Sequence, residues 1–192
     1  MPEDPIARFH RWYREAERRG ARLPDAMALA TVGPAGAPSV RFVLLKQADA
    51  RGFVFFTDTR SRKGRELEKN RNVAASFHWP ASSKQVRIEG SVEPVTPEEA
   101  DEYWITRPRG SQLSATTSFQ SAPIADRASL VARRAKVAER LRGRAVPRPP
   151  DWSGFRIVPE RIEFWTHRAD RLHHRELFER TGRGWRCRLL QP

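Results

Sequence analysis

Two turn signatures, Gly33-Pro34-Ala35-Gly36 and Asp49-Ala50-Arg51-Gly52, cut the first third of this 192-residue chain into runs too short for ordinary helices. The runs they leave, 27–32, 39–46 and 52–57, are largely apolar with β-branched or aromatic residues, the composition of strands paired in antiparallel hairpins. The pattern resumes at 73–79 and 85–95 around a turn at 80–83, and again at 155–158, 161–166, 171–178 and 185–190.

Helical signals lie outside these runs. Asp4-Pro5 offers a cap and a first-turn proline ahead of Ile6, Phe9, Tyr13 and Ala16 at helical spacing. Ser61 caps a short helix through Lys69, and Thr96-Pro97-Glu98-Glu99 is a capping box for a helix that stops near Thr106, before Pro108. A further helix spans 125–142, with Leu130, Val131, Val137 and Leu141 available for packing, ahead of a proline-rich linker at 147–150. With 39% hydrophobic residues the chain can bury one sizeable core, so one domain is expected over 1–192. In it an N-terminal helix (1–20), a helical insert (96–145) and C-terminal strands (155–192) surround an antiparallel, closed or nearly closed barrel of the α+β class.

Composition removes several functions. No apolar run approaches the ~20 residues of a spanning helix, and 1–19 mixes acids and bases among its apolar residues, so neither membrane nor secretory signal is readable. Cys187 is the only cysteine, which excludes an internal disulfide and fits a cytoplasmic setting. The five histidines show no H-x-x-x-H spacing, and no metal is expected. A net charge of +13 raises nucleic acid as a partner, but the excess is arginine spread along the whole chain, with no basic block, and small phosphates are the better match.

Three basic groups stand where an anion is easiest to hold. Arg41 opens a strand that ends at Lys46, Ser61-Arg62-Lys63 sits at a helix start, and Arg107 lies at a helix end near Arg109, Ser111 and Gln112. A basic residue beside a helix start is ordinarily a solvated charge, yet free N–H groups and the helix dipole make 61–63 competent for phosphate. Strand alternation puts Arg41, Val43 and Leu45 on one face and Phe42, Leu44 and Lys46 on the other, so the charges need a phosphate or an acidic partner. Gln85, Arg87 and Glu89 share a face that reads as the wet side of a sheet. Arg171, His173 and Arg175 alternate on a strand and would project together, which calls for an anion or an electron-rich ring among them.

Taken in order, Arg41-Phe42-Val43-Leu44-Leu45-Lys46, Ser61-Arg62-Lys63, Gln85-Val86, Tyr103, Arg107-Pro108-Arg109, Ser111-Gln112, Gln120-Ser121, Ile162-Glu163-Phe164-Trp165 and Arg171-Leu172-His173 resemble the pyridoxamine (pyridoxine) 5′-phosphate oxidase family over nearly the whole chain. The resemblance implies a homodimeric FMN-binding split barrel with the flavin at the subunit interface, and a reaction in which pyridoxamine or pyridoxine 5′-phosphate becomes pyridoxal 5′-phosphate while O2 becomes H2O2. By this similarity Arg41, Arg62 and Lys63 neutralise the FMN phosphate. The stretch Phe42, Val43, Leu44, Leu45 and Lys46, with Phe56, Thr57, Gln85, Gln120, Ser121, Trp165 and Arg175, lines the rest of the cofactor. Lys46, Tyr103, Arg107 and Ser111 hold the substrate phosphate, and Arg171 and His173 lie over the substrate ring as the catalytic pair. The chain departs from the pattern at His174, where an acid is common, at Thr116, where tryptophan is common, in a short N-terminus and in the ending Arg188-Leu189-Leu190-Gln191-Pro192. These departures bear on the substrate: a phenazine-type FMN oxidase of aromatic secondary metabolism, or a non-catalytic flavin or pyridoxal phosphate binder, are the alternatives.

Overall fold

The computed structural model describes residues 3–192; the first two residues of the expected N-terminal helical segment lie outside them. Helix α1 (Pro5–Arg18) starts where Asp4 accepts a hydrogen bond from the Ile6 amide at 3.1 Å. It buries Ile6, Phe9, Trp12 and Ala16, so Trp12 takes the inner position expected of Tyr13.

The strands follow as β1 (Ala26–Val32), β2 (Pro38–Leu44), a short β3 (Gln47–Asp49), β4 (Gly52–Asp58), β5 (Asn72–Trp79), β6 (Lys84–Pro94), β7 (Trp152–Thr166), β8 (His174–Thr181) and β9 (Gly184–Leu190). Helix α2 (Arg62–Lys69) stands between β4 and β5; α3 (Pro97–Thr106), α4 (Arg109–Thr117) and α5 (Arg127–Arg140) form the insert between β6 and β7. All pairings are antiparallel. The sheet runs β2-β1-β5-β6-β7-β4-β3, with β8 and β9 added beyond the far half of β7, and curls into a half-barrel. Its interior is filled by Phe9, Phe53, Phe77, Ile88, Ile157 and Phe164, each at most 1% exposed.

The runs 155–158 and 161–166, expected as two strands, are one. Pro159 lacks the amide a ladder needs, and the strand continues through it by a β-bulge: Gly90 faces Pro159 and Glu89 faces Arg161, so Glu160 is the extra residue. The bulge reverses the inward parity, from Phe155 and Ile157 before it to Ile162 and Phe164 after it, and both pairs reach the same core. Gly90 is obligatory, because a Cβ there would stand 2.1 Å from the Val158 carbonyl oxygen.

The insert has its own apolar nucleus, where Trp104, Leu113, Val146 and Trp152 are buried with Val137 and Leu141 against them. Helix α5 buries none of its residues fully, and Val131, expected to pack, is half exposed. The sequence carries no clear signal for α4, whose Ser and Thr residues are poor helix formers. Their hydroxyls are spent inside the helix: Ser114, Thr116 and Thr117 each donate to the carbonyl four residues back.

A second correction concerns 171–178. The strand begins only at His174, and Arg171 sits in a turn with φ +67°. Asp170 Oδ1 accepts from the Leu172 amide and the His173 amide donates to the Arg171 carbonyl, so the chain reverses before pairing can start. Arg171, His173 and Arg175 therefore share no strand face.

Candidate active site

A cleft of about 760 Å³ opens between β2, β4, the start of α2 and the insert. At one end β2, an edge strand, presents Arg41 and Val43 half-buried and leaves Val40, Phe42 and Leu44 outward, the last three 69%, 76% and 41% exposed. Ser61 caps α2 by accepting from the Gly64 amide at 3.3 Å, which places Arg62 and Lys63 in the first turn. Lys63 is 7% exposed, and its ammonium donates only to neutral oxygens: Thr57 Oγ1 at 2.8 Å, Gln120 Oε1 at 2.8 Å and Ser61 Oγ at 3.3 Å. Burial, then the nearby charge of Arg41, push its pKa down to about 8, against a weaker opposing pull from Asp58.

The other cations here have acidic partners, the second of the two outcomes the sequence left open. Lys46 Nζ lies 3.0 Å from Asp25, and Arg41 and Arg62 lie 3.2 and 2.8 Å from Glu66. The Ser121 hydroxyl accepts from the Arg62 amide at 3.2 Å, with Ser121 at φ +70°. Leu45 lies under the cleft in the barrel core rather than in its lining.

The other end is aromatic. Phe56 stacks on Tyr103 (centroids 4.2 Å apart) and on Trp152 (5.3 Å). The Arg107 guanidinium lies 4.6 Å from the Trp152 centroid and 5.0 Å from that of Trp104. Arg107 Nη1 is buried with no hydrogen-bond partner, and burial holds its pKa below the usual range. A buried guanidinium nitrogen without an acceptor is costly unless an anion completes it. Ser111 and Lys46 also face the cleft.

The remaining expected site residues lie elsewhere. Trp165 is packed against His173 (4.7 Å), which in turn meets His167 (5.2 Å). Gln85 faces Trp165 across β6 and β7, and Arg87 beside it is exposed, as a wet face should be. Arg175, opposite Trp165 on β8, is engaged by Glu163 at 2.7 and 3.1 Å and donates to the Gln191 carbonyl. Trp152 and Trp165 stand on the same strand, separated by roughly 40 Å of extended backbone at ~3.3 Å per residue. One chain thus carries a cationic cleft at one end of β7 and an aromatic and basic cluster at the other.

The sequence did not point to Glu66, Thr31, Asp25 or Trp152. Glu66 follows Arg62 by four residues, a helical pairing distance, and that spacing was the one local hint. The others meet the site only through tertiary pairing.

Phosphate-competent cations at a strand edge and helix start, on a curled antiparallel half-barrel, define a split-barrel protein whose cleft is suited to an anion. A family model described as pyridoxamine 5′-phosphate oxidase matches residues 14–166, and one described as pyridoxine 5′-phosphate oxidase C-terminal dimerisation region matches residues 152–192. The chain belongs to the pyridoxamine 5′-phosphate oxidase family of oxidoreductases. It is 53% identical over 189 residues to a pyridoxine/pyridoxamine 5′-phosphate oxidase of Rubrobacter xylanophilus, covering 98% of this chain and 87% of that one. It is 51% identical to a protein of the same name from Myxococcus xanthus, over 100% of this chain and 93% of the relative. Among solved structures, PhzG from Burkholderia lata, in complex with tetrahydrophenazine-1-carboxylic acid, superposes with a TM-score of 0.94 at 36% identity, covering 100% of this chain and 94% of that chain. A pyridoxamine 5′-phosphate oxidase-related, FMN-binding protein from Nostoc punctiforme shares the fold, with a TM-score of 0.80 at 17% identity and full coverage of both chains. The family implies a flavin cofactor, and the C-terminal region is one of dimerisation. Among the described residues no helix is long and apolar enough to cross a membrane.

Proposed function

We propose that the chain is an FMN-dependent oxidase that converts pyridoxamine or pyridoxine 5′-phosphate to pyridoxal 5′-phosphate, with O2 reduced to H2O2, in the cytoplasm. The observation that carries this is the presence, in one cleft, of two cations lacking anionic partners, Lys63 and Arg107, with the stacked rings of Phe56, Tyr103 and Trp152 beside the second. Two phosphates and two flat ring systems match that arrangement. FMN bound there supplies a two-electron acceptor that O2 can reoxidise.

The residues divide the work. Arg41, Arg62 and Lys63 hold the FMN phosphate, with Thr57, Gln120 and Ser121 keeping those donors in place. Tyr103, Arg107, Ser111 and Lys46 hold the substrate phosphate, and several charge-assisted bonds at that point fix the orientation of the carbon to be oxidised. Phe42, Val43, Leu44 and Phe56 give the cleft an apolar wall that excludes water. Gln85, Trp165, Arg171, His173 and Arg175 act from the partner subunit of a homodimer. Their distance from the cleft within one chain, the position of all but Gln85 inside the dimerisation region, the pairing of Gln85 with Trp165 of that region, and the exposed Val40, Phe42 and Leu44 beside the cleft support that assignment. There Arg171 and His173 orient the substrate ring.

Identity to the B6-phosphate oxidases near 50% exceeds the 36% shared with PhzG, and the unpartnered Arg107 is what a phosphorylated substrate requires. Oxygen uptake by FMN-loaded protein tests the reading. Consumption with either B6 phosphate, and none with the dephosphorylated vitamers, is expected. Yellow protein inert to both B6 phosphates would move the assignment to another aromatic substrate, and protein that takes up no FMN would remove it.

A further inference from the structure

Glu66 stands where two elements of the cationic cleft meet. Its side chain is buried, 7% exposed, and four donors converge on it: the Thr31 hydroxyl, Ser39 Oγ at 2.6 Å, Arg62 Nε at 2.8 Å and Arg41 Nη2 at 3.2 Å. Arg41 comes from β2 and Arg62 from α2, so one carboxylate ties the edge strand to the helix start. Thr31, fully buried, also accepts from Arg41, which closes the network into a ring. Hydrogen bonds from these partners outweigh the effect of burial and hold the Glu66 pKa down to about 2, so the group stays ionised at working pH.

Two effects of that carboxylate oppose each other. Its charge repels an incoming anion, while its hydrogen bonds hold two long side chains whose ordering would otherwise oppose binding. Arg41, Arg62 and Lys63 against Glu66 leave a net of +2, the complement of a phosphomonoester dianion, so the attraction survives and the ordering is already done.

We propose that Glu66 is a positioning residue: it presets Arg41 and Arg62 for a phosphomonoester and so gives the cleft its preference for a phosphorylated over an unphosphorylated flavin. This rests on the flavin reading of the cleft. The test titrates apo-protein with FMN and with riboflavin, following quenching of flavin fluorescence. Glu66→Ala is expected to weaken FMN roughly tenfold or more and to leave riboflavin within about twofold. Glu66→Gln, which keeps an oxygen acceptor for a guanidinium, should recover most of the loss. Equal proportional losses for FMN and riboflavin, as a general structural lesion would give, overturn the proposal. So does FMN binding in Glu66→Ala that is unchanged or tighter, since the carboxylate would then act only by repulsion. Should Glu66→Ala fail to fold by near-UV circular dichroism, Thr31→Val takes its place, removing the hydroxyl shared by Arg41 and Glu66. About threefold weaker FMN with unchanged riboflavin is then expected, and unchanged FMN affinity overturns the idea. Unsubstituted protein that binds FMN no tighter than riboflavin overturns the flavin reading itself, before any variant is made.

Discussion

Lys63 Nζ donates to Gln120 Oε1 at 2.8 Å, so the ammonium at the start of α2 is closed over by a neutral amide from the loop after α4 and not by a carboxylate. The fold holds this charge out of water without compensating it, and the energy withheld in the free protein becomes available to an anion.

A proton should therefore accompany the flavin phosphate. With the Lys63 pKa at about 8 against 10.5 when unfolded, the unfolded chain keeps a proton that the native one releases between those values. Stability of apo-protein consequently rises from pH 8 to 10.5, by on the order of 2–3 kcal/mol, and urea unfolding across that window measures it. Lys63→Met should abolish the rise and stabilise apo-protein below pH 8, while FMN retention is lost. At pH 9, calorimetry in two buffers of different ionisation enthalpy should find about one proton taken up with FMN; zero uptake contradicts the assignment of Lys63.

Arg107 should report on the substrate alone. Its replacement by Ala is expected to raise KM for the B6 phosphate roughly a hundredfold with FMN affinity unchanged. Lysine should rescue little, because a point charge cannot lie flat against Trp104 and Trp152 as the guanidinium does. Steady-state kinetics beside a flavin titration separates the two effects.

Mixing two impaired variants, assayed with substrate well below the KM of Arg107→Ala, tests the shared site. Arg107→Ala disables the cleft and Arg171→Gly removes the far contribution, glycine being at ease at the φ of +67° found there. Denatured together and refolded, they should regain about one quarter of the parental activity, since half the dimers are mixed and each mixed dimer has one intact site. No recovery would mean that each chain completes its own site.

Gly90→Ala should destabilise the fold by about 2–4 kcal/mol, because the added methyl meets the Val158 carbonyl at 2.1 Å and backbone must move. A lowered urea midpoint with an unchanged slope is the expected signature.

What the sequence made legible was local. Thr96 and Glu99 form both halves of their capping box, at 3.2 and 3.0 Å, because that motif needs only four consecutive residues. Ser61 and Asp4 cap as their neighbours imply. The short β3 escaped notice, as three residues show no period. Arg171 to Arg175 alternated like a strand, but the Asp170 turn competes at the same place and prevails. The acid that holds Arg41 could not be read from β2 at all, since Glu66 reaches it from a helix 25 residues further on. Likewise the family pattern groups Gln85, Trp165 and Arg175 with the cleft residues, whereas within one chain they stand apart from it.

The extra residue at Glu160 works as a phase shift in a fifteen-residue strand. Ahead of it odd-numbered side chains point inward, behind it even-numbered ones do, and so Trp152 and Trp165, one even and one odd, come to stand on the same side of β7. A strand that ran through Glu160 without the bulge, pairing it in the ladder, would keep the cleft end in register yet turn Ile162 and Phe164 out to solvent and Trp165 into the core. The half of β7 that carries Trp152 would survive that change, and the half that carries Trp165 would not.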